Sequence, residues 1–253
     1  MTTALITGAN KGVGLAVARV LGQRGFKIWL GARSEERGRL AEAQLLSEGI
    51  NVEFVQLDVT VPISVATASR CIAASTPALD ILVNNAGIQN DLKTGSLEGV
   101  PPSELPLTKV RELYDTNFFG AIAVTQTFLP LLHKSRAGRV VNVSSRFASF
   151  AHQTREDWPP RSVTVLGYAT SKAALNMATV LFAYELRDTA IKINAVSPGT
   201  IATDLSGMKA EDLAGRPGFN SPEQGAIPIV KYATLPEDGP SGGFFGPDGQ
   251  LAW

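Results

Sequence analysis

Tyr168 and Lys172 stand four positions apart in Tyr168-Ala169-Thr170-Ser171-Lys172, a spacing that puts a phenol and an ammonium on one face of a helix. A free phenol, with a pKa of about 10, is a poor base near neutral pH, but a nearby ammonium stabilises phenolate and lowers that value toward a working range. Such a pair can exchange a proton with a bound molecule. Taken alone, the pattern is common and equally describes a surface tyrosine and lysine. A second candidate lies near the N-terminus, where Thr7-Gly8-Ala9-Asn10-Lys11-Gly12-Val13-Gly14 spaces its glycines as GxxxGxG. Gly8 permits a turn, Gly12 lets backbone approach a pyrophosphate, and Gly14 allows a helix to pack close to a sheet. The free N–H groups at the start of that helix then face the anion.

A glycine trio signals dinucleotide binding only between a strand and a helix, and the flanking residues meet that condition. Ala4–Thr7 reads as a strand, and Val13–Gln23 places Val13, Val17, Val20 and Leu21 at helical spacing. Further strand candidates are Lys27–Leu30, Val52–Leu57, Ile81–Asn84, Arg139–Val143 and Ile191–Val196, with a helical segment at Glu35–Leu46. Repeated β-α-β units predict a single α/β domain over 1–253: a Rossmann-like, doubly wound parallel sheet with helices on both faces. Asp80–Asn84 is nearly continuous in apolar character, which puts it near the middle of that sheet. Three segments interrupt the alternation after strand ends, at 89–106, 147–167 and 203–222, where open α/β sheets bind ligands.

The second strand ends in Leu30-Gly31-Ala32-Arg33-Ser34, without the carboxylate that would bond a ribose 2′-hydroxyl and repel a 2′-phosphate. Arg33 offers a guanidinium fork to phosphate, and Lys11 could add a second positive charge on the same side. NADP(H) is therefore expected over NAD(H). The competing reading is two solvated cations on exposed loops.

Composition narrows the classes further. The 253 residues carry 23 basic and 23 acidic side chains, so no overall field draws the chain to nucleic acid or to an anionic membrane, and a small-molecule ligand is expected. No stretch approaches the roughly 18 apolar residues of a membrane helix, and no signal sequence is legible at the start, which predicts a cytoplasmic protein. Cys71 is the single cysteine and reads as a small buried hydrophobe on a helix. His133 and His152 stand apart as surface or helix-end residues, so no metal site is expected.

Asn84-Asn85-Ala86-Gly87 after the fourth strand and Val143-Ser144-Ser145 after the fifth complete an ordered set with the glycine loop and Tyr168/Lys172. From Thr7 to about Thr203 the chain resembles the short-chain dehydrogenase/reductase family, and its Thr-Gly-Ala-Asn-Lys-Gly-Val-Gly and Gly-Ala-Arg versions look closest to NADPH-dependent carbonyl reductases. The resemblance implies that Tyr168 is general acid in reduction and general base in oxidation, with Lys172 lowering its pKa and holding the nicotinamide ribose. It implies that Ser145, or Ser144 as the alternative, hydrogen-bonds the substrate carbonyl. Asn117 would anchor a water that relays protons from Lys172. The same resemblance assigns cofactor contacts to Gly8, Asn10, Lys11, Gly12, Val13, Gly14, Arg33, Asp58, Val59, Asn85, Ala86, Gly87 and Val143, and to Tyr168 and Lys172 themselves. It adds Pro198, Gly199, Ile201 and Thr203 beside the nicotinamide.

From Ser145 to Tyr168 runs 23 positions, longer than in the compact tetrameric members of that family. Phe147, Phe150, Trp158 and Pro159-Pro160 in this stretch could cover the substrate site, or could form a surface insertion. Assembly as a monomer or a homodimer remains open. The glycines of 203–222 predict a mobile lid. The substrate expected is an uncharged ketone or aldehyde or the matching alcohol; the other functional class is an NADPH-binding regulatory or scaffolding protein without turnover.

Overall fold

Strands form where β-branched and aliphatic residues run together, because a parallel sheet covered on both faces buries every side chain along each strand. The computed structural model, which describes residues 2–156 and 163–253, places β1 (Thr3–Thr7), β2 (Lys27–Ala32), β3 (Val52–Gln56), β4 (Ile81–Asn84), β5 (Arg139–Val143) and β6 (Lys192–Val196) within two residues of their expected positions. Between the first three strands lie α1 (Gly12–Gln23) and α2 (Glu35–Ser47), and α3 (Pro62–Ser75) leads to β4. A longer crossover joins β4 to β5 through α4 (Leu107–Tyr114), a π-helical turn (Asp115–Gly120) and α5 (Ala121–Leu132). After β5 come the four-residue α6 (Phe150–Gln153) and the long α7 (Leu166–Glu185). Beyond β6 lie the short α8 (Ala210–Leu213), α9 (Pro222–Ala233), β7 (Phe244–Gly246) and β8 (Gly249–Gln250).

The strand order is β3-β2-β1-β4-β5-β6-β7-β8, parallel throughout except for the final β7–β8 pair. Two cores flank the sheet. On one face Val17 and Leu21 of α1, Leu45 of α2 and Ile229 and Val230 of α9 pack on Ile6, Ile28, Leu30 and Val83. On the other, Val65 and Ile72 of α3, Val124 and Phe128 of α5 and Leu186 after α7 pack on Leu5, Trp29, Leu82 and Val140. The order reverses between β1 and β4, so the loops leaving them part to opposite faces and open a crevice at the carboxyl edge.

The C-terminal strands escape sequence reading because Phe244-Phe245-Gly246, bounded by glycines, is too short to show a period. They are held by packing: Trp253 stacks on Phe244 at 5.4 Å, and Phe245 stacks on Tyr232 of α9 at 4.1 Å. Cys71 departs from expectation. It lies on α3 but is exposed, because the buried stripe of that helix runs through Val65, Ala68 and Ile72.

A buried polar ladder crosses the sheet where a wholly apolar core would be expected. The Asn84 side-chain amide on β4 donates to Thr125 Oγ1 of α5 at 2.9 Å and to Asn142 Oδ1 of β5 at 2.8 Å. Asn142 in turn donates to Thr179 Oγ1 of α7 at 2.8 Å. Each link is buried, so removing one strands its neighbours away from water. We expect Asn142→Ala to lower unfolding stability by about 1–3 kcal/mol, measured by chemical denaturation. An unchanged midpoint would mean that the ladder carries no net stability.

Candidate active site

The first βα turn is shaped by contact with the loop after β4. Gly8 has φ +64°, and a Cβ there would lie 2.9 Å from Ala86 Cα; one on Gly14 would meet Asn85 Nδ2 at 2.4 Å. Both positions therefore exclude a side chain, Gly14 for a reason additional to helix–sheet packing. Thr7 Oγ1 accepts from the backbone N–H groups of Asn85 and Ala86 at 3.0 and 2.9 Å. The Asn85 amide returns donors to the carbonyls of Thr7 and Gly8 at 2.8 and 3.1 Å. These bonds fasten Asn85-Ala86-Gly87 against the glycine loop across the crevice.

The start of α1 carries no side-chain cap and no acidic residue in its first turn, so no side chain of its own competes for its leading N–H groups. That donor set fits a pyrophosphate. The segment after β6 folds back onto the same place. Ile201 packs at Gly225 with Val13 nearby, Thr203 Cγ2 lies where a Cβ on Gly12 would meet it at 3.3 Å, and Gly199 takes φ +92°. Lys11, by contrast, reaches across to Asp204 at 2.7 Å, an exposed ion pair of the kind that contributes little. Arg33 is exposed at the end of β2. Asp58 folds its carboxylate onto the N–H and hydroxyl of Thr60 at 3.0 and 2.7 Å, while Val59 is buried against Gly120.

Tyr168 and Lys172 lie in the first two turns of α7, both buried, with Lys172 Nζ 6.0 Å from the Tyr168 ring centroid. Lys172 Nζ donates to the Val143 carbonyl at the end of β5, at 2.7 Å. Ser145 Oγ accepts from Phe147 N at 3.3 Å, and the same side chain draws the pKa of the Tyr168 phenol down. Ser144 turns the other way, buried and donating to Asn176 Oδ1 at 2.6 Å, so of the two serines it is Ser145 that acts on the phenol. Asn117, inside the π-helical turn, accepts from Ile88 N at 2.9 Å and donates to Ile88 O and Ser171 Oγ at 3.0 and 3.1 Å. A Cβ on Gly87 would lie 3.2 Å from Asn117 Oδ1 and 3.5 Å from Lys172 Nζ, so the bare glycine leaves open the space between these groups.

The electrostatics correct one expectation. Burial pushes the Tyr168 phenol up to about 12, with the Ser145 side chain working against the rise and the Asp91 carboxylate adding to it. Burial also pulls Lys172 down to about 8. Before any ligand binds, desolvation outweighs the lowering of the phenol expected from the lysine, because both charged forms lose water together. The unliganded site is therefore a protonated phenol beside an ammonium that is readily discharged.

Part of the long approach to Tyr168 forms an apolar wall: Phe147 is half-buried against Tyr168, Leu113 and Val165. Phe150 faces solvent, whereas Trp158 and Pro159-Pro160 lie outside the described residues. The start of this approach is tied to the chain's end by Ser149 Oγ donating to Ala252 O at 2.7 Å, Ala151 N to Trp253 O at 2.9 Å, and an Arg146–Asp248 ion pair at 3.0 Å. None of these partners carries a sequence signal. His152 Nδ1 pairs with Ser149 Oγ at 2.8 Å, and among the described residues no group of three or more His, Cys, Asp or Glu is gathered for a metal ion. Nor is any described helix long and apolar enough to cross a membrane.

Residues 2–214 match the family model for short chain dehydrogenase. The chain belongs to the short-chain dehydrogenase/reductase family. It is 32% identical to (-)-isopiperitenone reductase of Mentha piperita, over 98% of this chain and 97% of that protein. To carbonyl reductase [NADPH] 1 of Mus musculus it is 33% identical, over 95% and 94%. In three dimensions it is similar to an NADPH-bound carbonyl reductase from chicken fatty liver, with a TM-score of 0.84 and 27% identity over 100% of this chain and 99% of that one.

For this short-chain dehydrogenase/reductase, the buried lysine makes stability depend on pH. Unfolded, Lys172 titrates near 10.5, whereas folded it does so near 8, so between these values the unfolded chain binds more protons and stability rises with pH. Over that interval the ligand-free wild type should gain on the order of 3 kcal/mol relative to Lys172→Met, followed by denaturant melts. A constant difference between the two proteins would show that Lys172 is not depressed.

Proposed function

We propose that the protein binds NADP(H) and interconverts a carbonyl compound and its alcohol, working as a carbonyl reductase. The observation that carries the reading is a buried phenol on which Ser145 acts, one helical turn from a buried ammonium, at the same carboxyl edge of the sheet as an uncapped helix start that suits a pyrophosphate. The mouse and chicken relatives, named for or bound to NADPH, support the choice of cofactor. Bound in the crevice, the nicotinamide would supply hydride to the carbonyl carbon.

The chain's residues do the rest. The N–H groups from Asn10 to Gly14 hold the pyrophosphate, and Arg33 selects the 2′-phosphate; Lys11 assists once it leaves Asp204. Asp58-Val59 flank the adenine, Asn85-Ala86-Gly87 flank the adenosine ribose, and Pro198, Gly199, Ile201 and Thr203 line the nicotinamide side with Val143. Ser145 orients the carbonyl oxygen, and Tyr168 gives it a proton as negative charge develops there. Lys172 holds the nicotinamide ribose and steadies the phenolate that results. Asn117, which shares the space over Gly87 with Lys172, anchors the water that returns a proton. Residues 89–106, the described part of 147–167 and 203–222 form the substrate side, the last as a lid, and Phe147 contributes an apolar surface suited to an uncharged ketone or aldehyde.

Within this reading the protein is cytoplasmic and a monomer or homodimer. Met177, Leu181 and Tyr184, at steps of four and three along α7, expose an apolar face suited to contact between two copies.

Two measurements test the proposal. NADPH oxidation should be observed with a panel of aldehydes, diketones and quinones, and Tyr168→Phe should cut kcat about 100-fold or more while retaining NADPH affinity. Cofactor binding by wild type without turnover of any of them would instead favour a regulatory protein. Arg33→Asp should shift the NADPH/NADH preference about tenfold or more toward NADH, the size of one lost charged hydrogen bond. An unchanged preference would remove Arg33 from the phosphate site.

A further inference from the structure

Helix α7 begins without a local cap. Val165 precedes it and contributes no side-chain hydrogen bond, its first turn holds no acidic residue, and Gly167 and Tyr168 are buried there, where leading N–H groups cannot turn to water. Their partner comes from 77 positions away. Asp91 is wholly buried, and its Oδ2 accepts from Tyr168 N at 2.8 Å, with Gly167 next to it in the same first turn. Gly167 lets the helix start sit this close: a Cβ on it would lie 2.5 Å from Leu113 Cδ1 and 3.6 Å from Asp91 Oδ2.

The loop that carries Asp91 is itself fixed. Val100 N donates to the Asp91 carbonyl at 2.9 Å, Leu92 bridges Gly99, and Gly99 packs on the Thr164 backbone just before α7. Among the described residues no cation makes an ion pair with Asp91, and its Oδ1 has no hydrogen-bond partner. A carboxylate left in such surroundings is costly unless backbone donors and the positive end of a helix hold it, as they do here. Neither the glycine loop nor the phenol–ammonium pair accounts for it.

We propose that Asp91 is a positioning residue for the reaction: its buried carboxylate replaces the missing cap of α7, fixes the Tyr168 backbone, and sets a negative charge at the start of the helix that carries the phenol. The inference rests on Tyr168 being the proton donor. The groups that act on the phenol are Ser145 from the segment after β5, Lys172 of α7 at 6.0 Å from its ring centroid and, electrostatically, Asp91 from the loop after β4, while Lys109 of α4 acts electrostatically on Asp91. Burial raises Asp91 toward its protonated form, yet the Tyr168, Gly167 and Asp91 N–H groups and Lys109 oppose that rise. In its charged form Asp91 disfavours phenolate and so keeps Tyr168 loaded with its proton for carbonyl reduction.

Asp91→Asn keeps an acceptor for the Tyr168 N–H but removes the charge, whereas Asp91→Ala removes both. With any carbonyl that the wild type reduces, Asp91→Ala should lower kcat about tenfold to a hundredfold with the Kd for NADPH unchanged. Asp91→Asn should recover most of that kcat, while the ionisation of Tyr168 seen in the pH profile of alcohol oxidation moves to lower pH. Wild-type kcat and pH profile in both variants would overturn the proposal, as would equal losses that track a loss of NADPH binding. If Asp91→Ala does not fold, Asp91→Asn decides alone: a shifted profile supports the assignment and an unshifted one overturns it. Tyr168→Phe is measured in parallel. Full activity there overturns the proton-donor reading and this inference with it, whereas an inactive Tyr168→Phe beside wild-type Asp91 variants overturns the inference only.

Discussion

An ammonium and a phenol buried one helical turn apart lose the water that would stabilise their charged forms, and protein groups must replace it. Much of the carboxyl half of the molecule meets that demand. The buried face of α7 carries Tyr168, Lys172, Asn176 and Thr179 at steps of four, four and three, so one stripe of the helix is polar where a core helix is ordinarily apolar. Each member has its own partner: Asp91 for the Tyr168 N–H, the Val143 carbonyl for Lys172, Ser144 for Asn176 and Asn142 for Thr179. Ser171, beside the stripe, takes Asn117. The helix is thus clamped to β5, to the π-helical turn and to the loop after β4 by directional bonds, which fix its rotation more tightly than apolar packing alone.

The sheet explains why these partners converge. Parallel strands place their carboxyl ends at one edge, and the reversal of order between β1 and β4 leaves that edge open there. Thr7 and Asn85 cross the opening with hydrogen bonds in both directions, so the glycine loop and the loop after β4 form one rigid wall. The π-helical turn has a similar use. Its wider winding lets Asn117 reach both the Ile88 backbone and Ser171, joining the wall to α7.

What the sequence made legible was local or periodic. The strands through Val196 announce themselves as apolar runs, and Gly8, Gly14, Tyr168 and Lys172 carry meaning through residue type and short spacing. Asp91 has no such signal: its function depends on a helix start 77 positions away, and an aspartate in a loop reads as solvated until its burial is seen. The same holds for Lys11, whose partner Asp204 lies 193 positions on, and for Ser149, which meets the C-terminal backbone. Cys71 failed in the opposite direction, since its helix was foreseen but not the facing of that helix. The pKa logic was half legible. Spacing gave the pair, but only burial shows that desolvation governs both members before a ligand arrives.

That balance bears on direction under the proposed chemistry. Below about pH 8 the unliganded site holds two protons, one on a phenol that does not release it to water until about pH 12 and one on Lys172. A carbonyl oxygen gaining negative charge is a far stronger base than water, so it can take the phenolic proton that solvent cannot, and the resulting phenolate forms beside an ammonium already in place. Alcohol oxidation starts from the opposite requirement, a phenolate in advance of reaction, which burial and Asp91 both oppose. Positive charge brought close by a bound oxidised nicotinamide would relieve that opposition, whereas the reduced ring carries no such charge. The protein's own electrostatics thus suit proton donation, and under the proposed chemistry the charge of the bound cofactor would set how readily the phenolate needed for the reverse reaction forms.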